Sequence, residues 1–222
     1  MTSPALRRRL AELWSQDALL EHASIASFSR FALQLLAVAA PPALVAGAHR
    51  AALDEIEHAK LCFRLANQYR DSPVTPGPLP MSGDVLGSLA LSDIAAATVT
   101  EGCIGETLGA LEASAALERA EPENVRATLE IIARDESVHA ELAWSFVRWA
   151  LDRGDPEVRA KVLAAFSAGS ADRAKAEPPS DPDAHALAIH GRLDARALHA
   201  VRRRAWLEVV RPAAEALLGE SP

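Results

Sequence analysis

The stretch Asp-Glu-Ile-Glu-His at 54–58 decides the fold, together with its counterpart Asp-Glu-Ser-Val-His at 135–139. In each stretch a glutamate stands three residues before a histidine. Residues three apart lie on one face of an α-helix, so the two side chains of a pair can bind the same metal ion. The two pairs are Glu55 with His58 and Glu136 with His139.

Each pair is preceded by one more carboxylate inside an apolar run. Glu21 lies in LLEHASIASF, 34 residues before Glu55, and Glu101 lies in VTEGCIGETL, 35 residues before Glu136. Apolar residues recur around both glutamates at steps of three and four, as on the buried face of a helix. The chain therefore carries nearly the same set of three candidate ligands twice.

The composition favours an all-α fold. Hydrophobic residues make up 50% of the 222 residues and aromatic residues only 5%, which is typical of packed helices rich in alanine and leucine. Four prolines and three glycines in 71–91 predict a long connection between the second and third helices. We expect a four-helix bundle over 1–153 and a helical extension over 154–222 that packs on it. The predicted long helices are 4–39, 43–70, 92–119 (capped by Ser92 or Asp93) and 123–152.

In the extension, the sequence predicts a short helix near 156–168 and a polar surface loop over 171–184. A last helix, capped by Asp194, is expected to run to residue 218.

The predicted turns lie where the candidate ligands require them. In an antiparallel hairpin, residues equidistant from the turn lie at the same height. The point midway between Glu21 and the 55–58 pair is close to Pro41, and the point midway between Glu101 and the 136–139 pair is close to Pro122. All six side chains are thus expected to meet inside the bundle.

Charge balance predicts two divalent cations at that meeting point. Four glutamates without counter-ions would carry a desolvation cost of roughly several kcal/mol each in the core. Two divalent ions neutralise four carboxylates, and mixed oxygen and imidazole ligands suit iron, manganese or zinc better than magnesium or calcium. The predicted metal ligands are Glu21, Glu55, His58, Glu101, Glu136 and His139.

With these residues, the chain resembles the ferritin-like di-iron carboxylate superfamily, in which two helices each supply one Glu and the other two each supply Glu-x-x-His. The resemblance covers about residues 10 to 150. It implies a ferritin-like connection between the helices and two iron ions, with manganese or a mixed iron–manganese pair as the alternative. It further implies that Glu55 and Glu136 bridge the metals. The symmetric ligand set is closer to bacterioferritin, rubrerythrin, manganese catalase and the di-iron oxygenases than to ferritin itself.

The resemblance implies an oxidoreductase that activates O2 or peroxide, and we expect an oxygenase or oxidase acting on a small organic substrate. The alternatives are iron handling by a ferroxidase and manganese-dependent peroxide dismutation. The expected partners are O2 or peroxide and the substrate, with an electron donor and a homodimer kept open. The only tyrosine, Tyr69, lies about three helical turns beyond His58, which argues against a tyrosyl radical of the ribonucleotide reductase type.

The net charge of −7 and the pI near 5.5 disfavour nucleic acid as a partner. The sequence contains neither an apolar signal region nor a membrane-spanning run, so a cytoplasmic protein is expected.

Several residues near the predicted ligands receive other interpretations. Asp54 and Asp135 are loose candidates for holding the imidazoles, because each lies beside a ligand on another helical face. Glu106 is expected on a solvated face, with a spare acid near the pocket as the alternative, and Cys62 and Cys103 are expected in the core.

Overall fold

The computed structural model describes residues 2–81, 83, 85–171 and 176–219, and for residue 171 it describes the backbone alone. Throughout these residues the regular structure is helical, and they contain no β-strand. The all-α prediction is therefore confirmed for the part of the chain that the structure describes. None of the helices described has both the length and the low polarity needed to cross a membrane.

The first two helices form a hairpin. Helix α1 (Pro4–Ala37) begins after Ser3, whose hydroxyl accepts a hydrogen bond from the backbone N–H of Leu6. Helix α2 (Pro42–Gln68) starts with proline, which suits the first turn because its missing N–H is not needed there. The two helices pack along most of their lengths.

The second pair of helices contains an irregular segment that the sequence did not predict. After the connection at 69–90, a continuous rod comprises α3 (Leu91–Thr98), a π-helical segment π1 (Val99–Glu106) and α4 (Thr107–Leu117). Helix α5 (Glu123–Leu151) returns along it and also packs against α2. The rod begins at Leu91 with no side-chain cap, so the predicted capping by Ser92 or Asp93 is wrong.

Two apolar clusters divide the interior of these helices. One contains Trp14 and Leu65, near the start of α1 and the end of α2, and the other contains Leu35 and Phe146 near the opposite ends. The polar residues of the candidate centre on α1, α2 and α5 lie between the two clusters in sequence, whereas Glu101 and Glu106 of the rod are flanked by residues of the second cluster. The centre is therefore enclosed by apolar packing above and below.

The C-terminal part of the chain packs on these helices. It comprises α6 (Pro156–Ala171), α7 (Ala184–Ile189), α8 (Ala195–Ala205), a second π-helical segment π2 (Trp206–Val210) and α9 (Arg211–Leu218). Helix α6 contacts α3, and α8 contacts α4.

Two features of this part bear on the sequence predictions. Asp194 accepts a hydrogen bond from the backbone N–H of Ala197 at 2.9 Å, as predicted for the cap of α8. Of the predicted polar loop, residues 176–183 contain no helix and end in a short turn, whereas 172–175 lie outside the described residues.

Candidate metal centre

Five of the six predicted ligands meet in the interior between the long helices. They belong to two groups that share two glutamates. One group contains Glu21, Glu55, His58 and Glu136, and the other contains Glu55, Glu106, Glu136 and His139. Within each group, one ligand atom from every residue lies within 4.8 Å of the others. Glu55, His58 and His139 are at most 1% exposed. Buried Glu and His side chains are thus within metal-binding distance of one another.

Glu101 does not belong to either group, contrary to the sequence prediction. Its side chain is 55% exposed, and its carboxylate accepts a hydrogen bond from the Arg30 guanidinium at 2.6 Å. Glu106 lies in the position expected for Glu101, so the prediction that Glu106 faces solvent is also wrong.

The π-helical segment is the physical reason for this exchange. The prediction assumed regular α-helical periodicity through 99–106, whereas hydrogen bonds in a π-helix join residues five apart. Glu101 and Glu106 are therefore about one turn apart on the same side of the rod, and Glu106 is the one at the level of His139. Nothing in VTEGCIGE distinguishes a π-helix from an α-helix, although its two glycines tolerate an irregular backbone.

The two imidazoles are held crosswise by aspartates from opposite helices. His58 Nε2 on α2 lies 3.2 Å from Asp135 Oδ2 on α5, and His139 Nε2 on α5 lies 3.3 Å from Asp54 Oδ2 on α2. An ionised carboxylate can accept a hydrogen bond but cannot donate one. In a neutral imidazole beside it, Nε2–H therefore donates and Nδ1 keeps its lone pair. Each aspartate thereby leaves the Nδ1 atom of the facing histidine ready to bind a metal.

Both Nδ1 atoms point at the two shared glutamates. Glu55 places Oε2 at 3.8 Å from His58 Nδ1 and Oε1 at 3.2 Å from His139 Nδ1. Glu136 places Oε1 at 3.5 Å from His58 Nδ1 and Oε2 at 3.9 Å from His139 Nδ1. Such spacings are expected of ligands that each lie about 2 Å from a common ion. Each glutamate thus offers one oxygen to either histidine, as bridging carboxylates would.

The inner atoms of the cluster have no hydrogen-bond partners. Both carboxylate oxygens of Glu55 and the Nδ1 atoms of His58 and His139 are buried without one. His139 Nδ1 and Glu55 Oε1 lie 3.2 Å apart without forming a hydrogen bond. A buried polar group without a partner costs about 1–3 kcal/mol, and more if it is charged. The donor set therefore fits divalent metal ions, because cations would satisfy all four atoms at once.

Without a cation, protons reduce the charge of the cluster. Burial raises the pKa of Glu21 to about 8 despite the opposing effect of His58, and burial also raises the pKa of Glu106 well above its ordinary value. For His58, burial lowers the pKa, but Glu136, Glu21 and Glu55 outweigh it and raise the pKa to about 12. Metal binding must therefore displace protons from these side chains.

Two cavities reach the centre from different sides. A cavity of about 220 Å³ between α1 and π1 ends at Glu106 and His139. A larger one, of about 430 Å³, lies beneath the C-terminal segment and is lined by Glu21, Glu106 and Glu136. Ser24, Glu101 and Glu106 line both. The centre is therefore accessible to small molecules.

Glycines allow π1 and α4 to approach α5 closely. A Cβ atom on Gly102 would lie 2.4 Å from Ala143 Cβ, and one on Gly109 would lie 3.3 Å from Glu136 Oε2. Gly102 thus permits close packing and also lines the smaller cavity.

Comparison of the chain with protein-family models, curated proteins and solved structures finds no match.

Proposed function

We propose that the protein is a non-haem di-iron oxidoreductase that activates O2 or peroxide for the oxidation of a small organic substrate. We further propose that its long helices form a ferritin-like four-helix bundle. The observation that carries this proposal is the pair of ligand groups sharing Glu55 and Glu136, each completed by one histidine and one terminal glutamate. Such a carboxylate-rich pair of sites is typical of ferritin-like di-iron proteins.

The side chains have distinct roles in this proposal. Glu21 and His58 would complete one ion, Glu106 and His139 would complete the other, and Glu55 and Glu136 would bridge both. When bound, two iron ions supply the electrons that reduce O2 or peroxide, and an external donor restores them. The protein holds the imidazoles in one tautomer through Asp54 and Asp135. It also packs apolar residues on both sides of the centre.

The larger cavity favours a reaction on a substrate over iron storage. It lies directly against three candidate ligands and is roofed by residues 191–202, whereas a centre that only oxidises iron needs no roofed cavity. The cavity wall also carries Asp17, Glu101 and Glu112, which would suit passage of Fe²⁺ if they were free. Each is paired with an arginine, however: Asp17 with Arg192, Glu101 with Arg30 and Glu112 with Arg202.

Metal content combined with solution mass tests the proposal. Protein purified from cells without added metal is expected to contain about two iron ions per chain and to be a monomer or dimer by light scattering. After reduction, it should consume O2. A large multi-subunit shell would support iron storage, and two manganese ions with catalase activity would support peroxide dismutation. Protein without stoichiometric metal would refute all three functions.

A further inference from the structure

The larger cavity places part of the C-terminal segment opposite the candidate ligands. Its floor includes Glu21, Glu106 and Glu136, and its roof includes Arg192 and Leu198. A molecule in this cavity would contact the centre from the side that the long helices leave open. The chemistry of the walls therefore indicates which molecules the cavity can hold.

Two hydrogen-bond donors in the cavity wall have no partner. Trp14 is 1% exposed, and its Nε1 atom is buried without a hydrogen bond, as is Nε of Arg192. The Arg192 guanidinium carbon lies 4.8 Å from the centre of the Trp14 ring, so both donors belong to one part of the wall. The left-handed backbone of Gly191, at φ +73°, brings the roof within contact of Trp14 and would place an added Cβ 3.4 Å from the Trp14 ring.

The positive charges in this wall are already neutralised. Both terminal nitrogens of Arg192 donate to Asp17, and Arg202 donates to Glu112 at 2.5 and 3.2 Å. The remaining carboxylates at the floor belong to the candidate metal centre. A negatively charged ligand would therefore find no uncompensated cation here, whereas a neutral oxygen acceptor would satisfy the two orphaned N–H groups.

The rest of the wall is largely apolar. Leu20, Ala113, Ala116, Leu129, Ile132 and Leu198 contribute aliphatic surface. A cavity of about 150 Å³ is enough for benzene, so about 430 Å³ accommodates a molecule of roughly a dozen non-hydrogen atoms.

We propose that this cavity binds the substrate of the proposed oxidoreductase, and that the substrate is an uncharged, mainly aliphatic molecule with a carbonyl, amide or hydroxyl oxygen. Because both donor atoms are buried, that oxygen accepts a hydrogen bond from Trp14 Nε1 or Arg192 Nε only after the Arg192 side chain shifts on the Trp14 ring. The aliphatic part extends along the apolar wall towards Glu21 and Glu106. This inference rests on the proposed function, because the bound molecule is a substrate only if the protein is an oxidoreductase. Binding itself can be measured without turnover.

The test uses zinc-loaded protein, which is redox-inactive, and three seven-carbon probes: 2-heptanone, heptanoate and heptylammonium. Zinc content is measured first. Calorimetry then gives the affinities, and the indole ¹H–¹⁵N signal of Trp14, assigned from its loss in Trp14→Phe, reports the place of binding. We expect 2-heptanone to bind most tightly and to shift the Trp14 signal.

Two variants separate the hydrogen bonds from general packing. Trp14→Phe keeps an aromatic ring without the donor, and Arg192→Lys keeps the charge beside Asp17 without the Nε donor. Loss of one hydrogen bond should weaken 2-heptanone binding roughly three- to tenfold in at least one of these variants. Trp149→Phe is the matched control, because Trp149 packs against Phe146 away from this cavity, and it should leave the affinity unchanged.

The outcomes distinguish this inference from the proposed function. Failure to bind zinc in stoichiometric amounts would refute the metal centre. Full zinc loading without a Trp14 shift by 2-heptanone would refute only the substrate cavity. Tighter binding of heptanoate or heptylammonium would overturn the assignment to uncharged molecules, and unchanged affinity in both variants would overturn the role of the two donors.

Discussion

The two hairpins supply the candidate centre with nearly the same types of residue, but their backbone conformations differ. In the first, Glu21, Glu55 and His58 all come from regular α-helices. In the second, the terminal glutamate comes from a π-helical segment, and it is Glu106 instead of Glu101. A near-repeat in the sequence therefore does not guarantee a repeat in the backbone, and the difference affects one ligand of one site.

The largest effect is expected at Glu55 and Glu136, which belong to both ligand groups. Glu55→Ala or Glu136→Ala removes a carboxylate that belongs to both groups, so each variant should lose both metal ions. His58→Ala and His139→Ala each affect one group and should retain about one ion. Mass spectrometry of metal-loaded protein measures the stoichiometry, with circular dichroism as the control for folding. Two ions retained in Glu136→Ala would refute the bridging role.

The next largest effect distinguishes the two glutamates of π1. Glu106→Gln should lose one ion, because it removes a buried carboxylate from the group around His139. Glu101→Gln is the matched control, since it changes only an exposed carboxylate paired with Arg30, and it should retain both ions. The same metal analysis applies. Loss of an ion in Glu101→Gln but not in Glu106→Gln would restore the ligand set predicted from sequence.

The sequence allowed most of the centre to be predicted because its ligands follow regular helical spacing. In each Glu-x-x-His pair the glutamate stands three residues before the histidine: Glu55 before His58, and Glu136 before His139. Glu21 lies on the apolar stripe of α1. Five of the six predicted residues accordingly lie together. The positions of the turns followed from prolines, which interrupt helices for a local reason.

Glu106 could not be predicted because its position depends on tertiary packing. An α-helical pattern through 99–106 places Glu101 inward, whereas the π-helical segment passes so close to α5 that an added Cβ on Gly102 would lie 2.4 Å from Ala143 Cβ. The sequence named Asp54 and Asp135 as candidates for holding the imidazoles, but it did not predict that each would pair with the histidine of the other helix. This pairing depends on how α2 packs against α5, which the positions of the two aspartates in the sequence do not determine.

A smaller effect is expected from these aspartates, and it should be unequal. Asp135 is 15% exposed and also receives a hydrogen bond from Arg134, whereas Asp54 is 41% exposed. Loss of such a partner weakens metal affinity about 10- to 100-fold. We expect Asp135→Asn to lie near the upper end of this range and Asp54→Asn near the lower end. Competition with a chelator for zinc measures both, and equal losses would show that exposure does not distinguish the two hairpins.

The smallest effect concerns folding stability at a glycine in each hairpin. An added methyl group on Gly102 would meet Ala143 Cβ at 2.4 Å, whereas one on Gly47 would meet the tip of Leu142 at 2.7 Å. Ala143 cannot move without its helix, so Gly102→Ala should lower the free energy of unfolding by roughly 1–3 kcal/mol. Leu142 can rotate into the smaller cavity that it lines, and alanine is the better helix former by about 1 kcal/mol.

Gly47→Ala should therefore leave the stability nearly unchanged or slightly increase it. Urea unfolding of metal-free protein measures both variants without a contribution from metal binding. If Gly102→Ala were as stable as Gly47→Ala, the close approach of π1 to α5 would not constrain the backbone. The explanation of why Glu106, and not Glu101, faces the centre would then have to lie elsewhere in the rod.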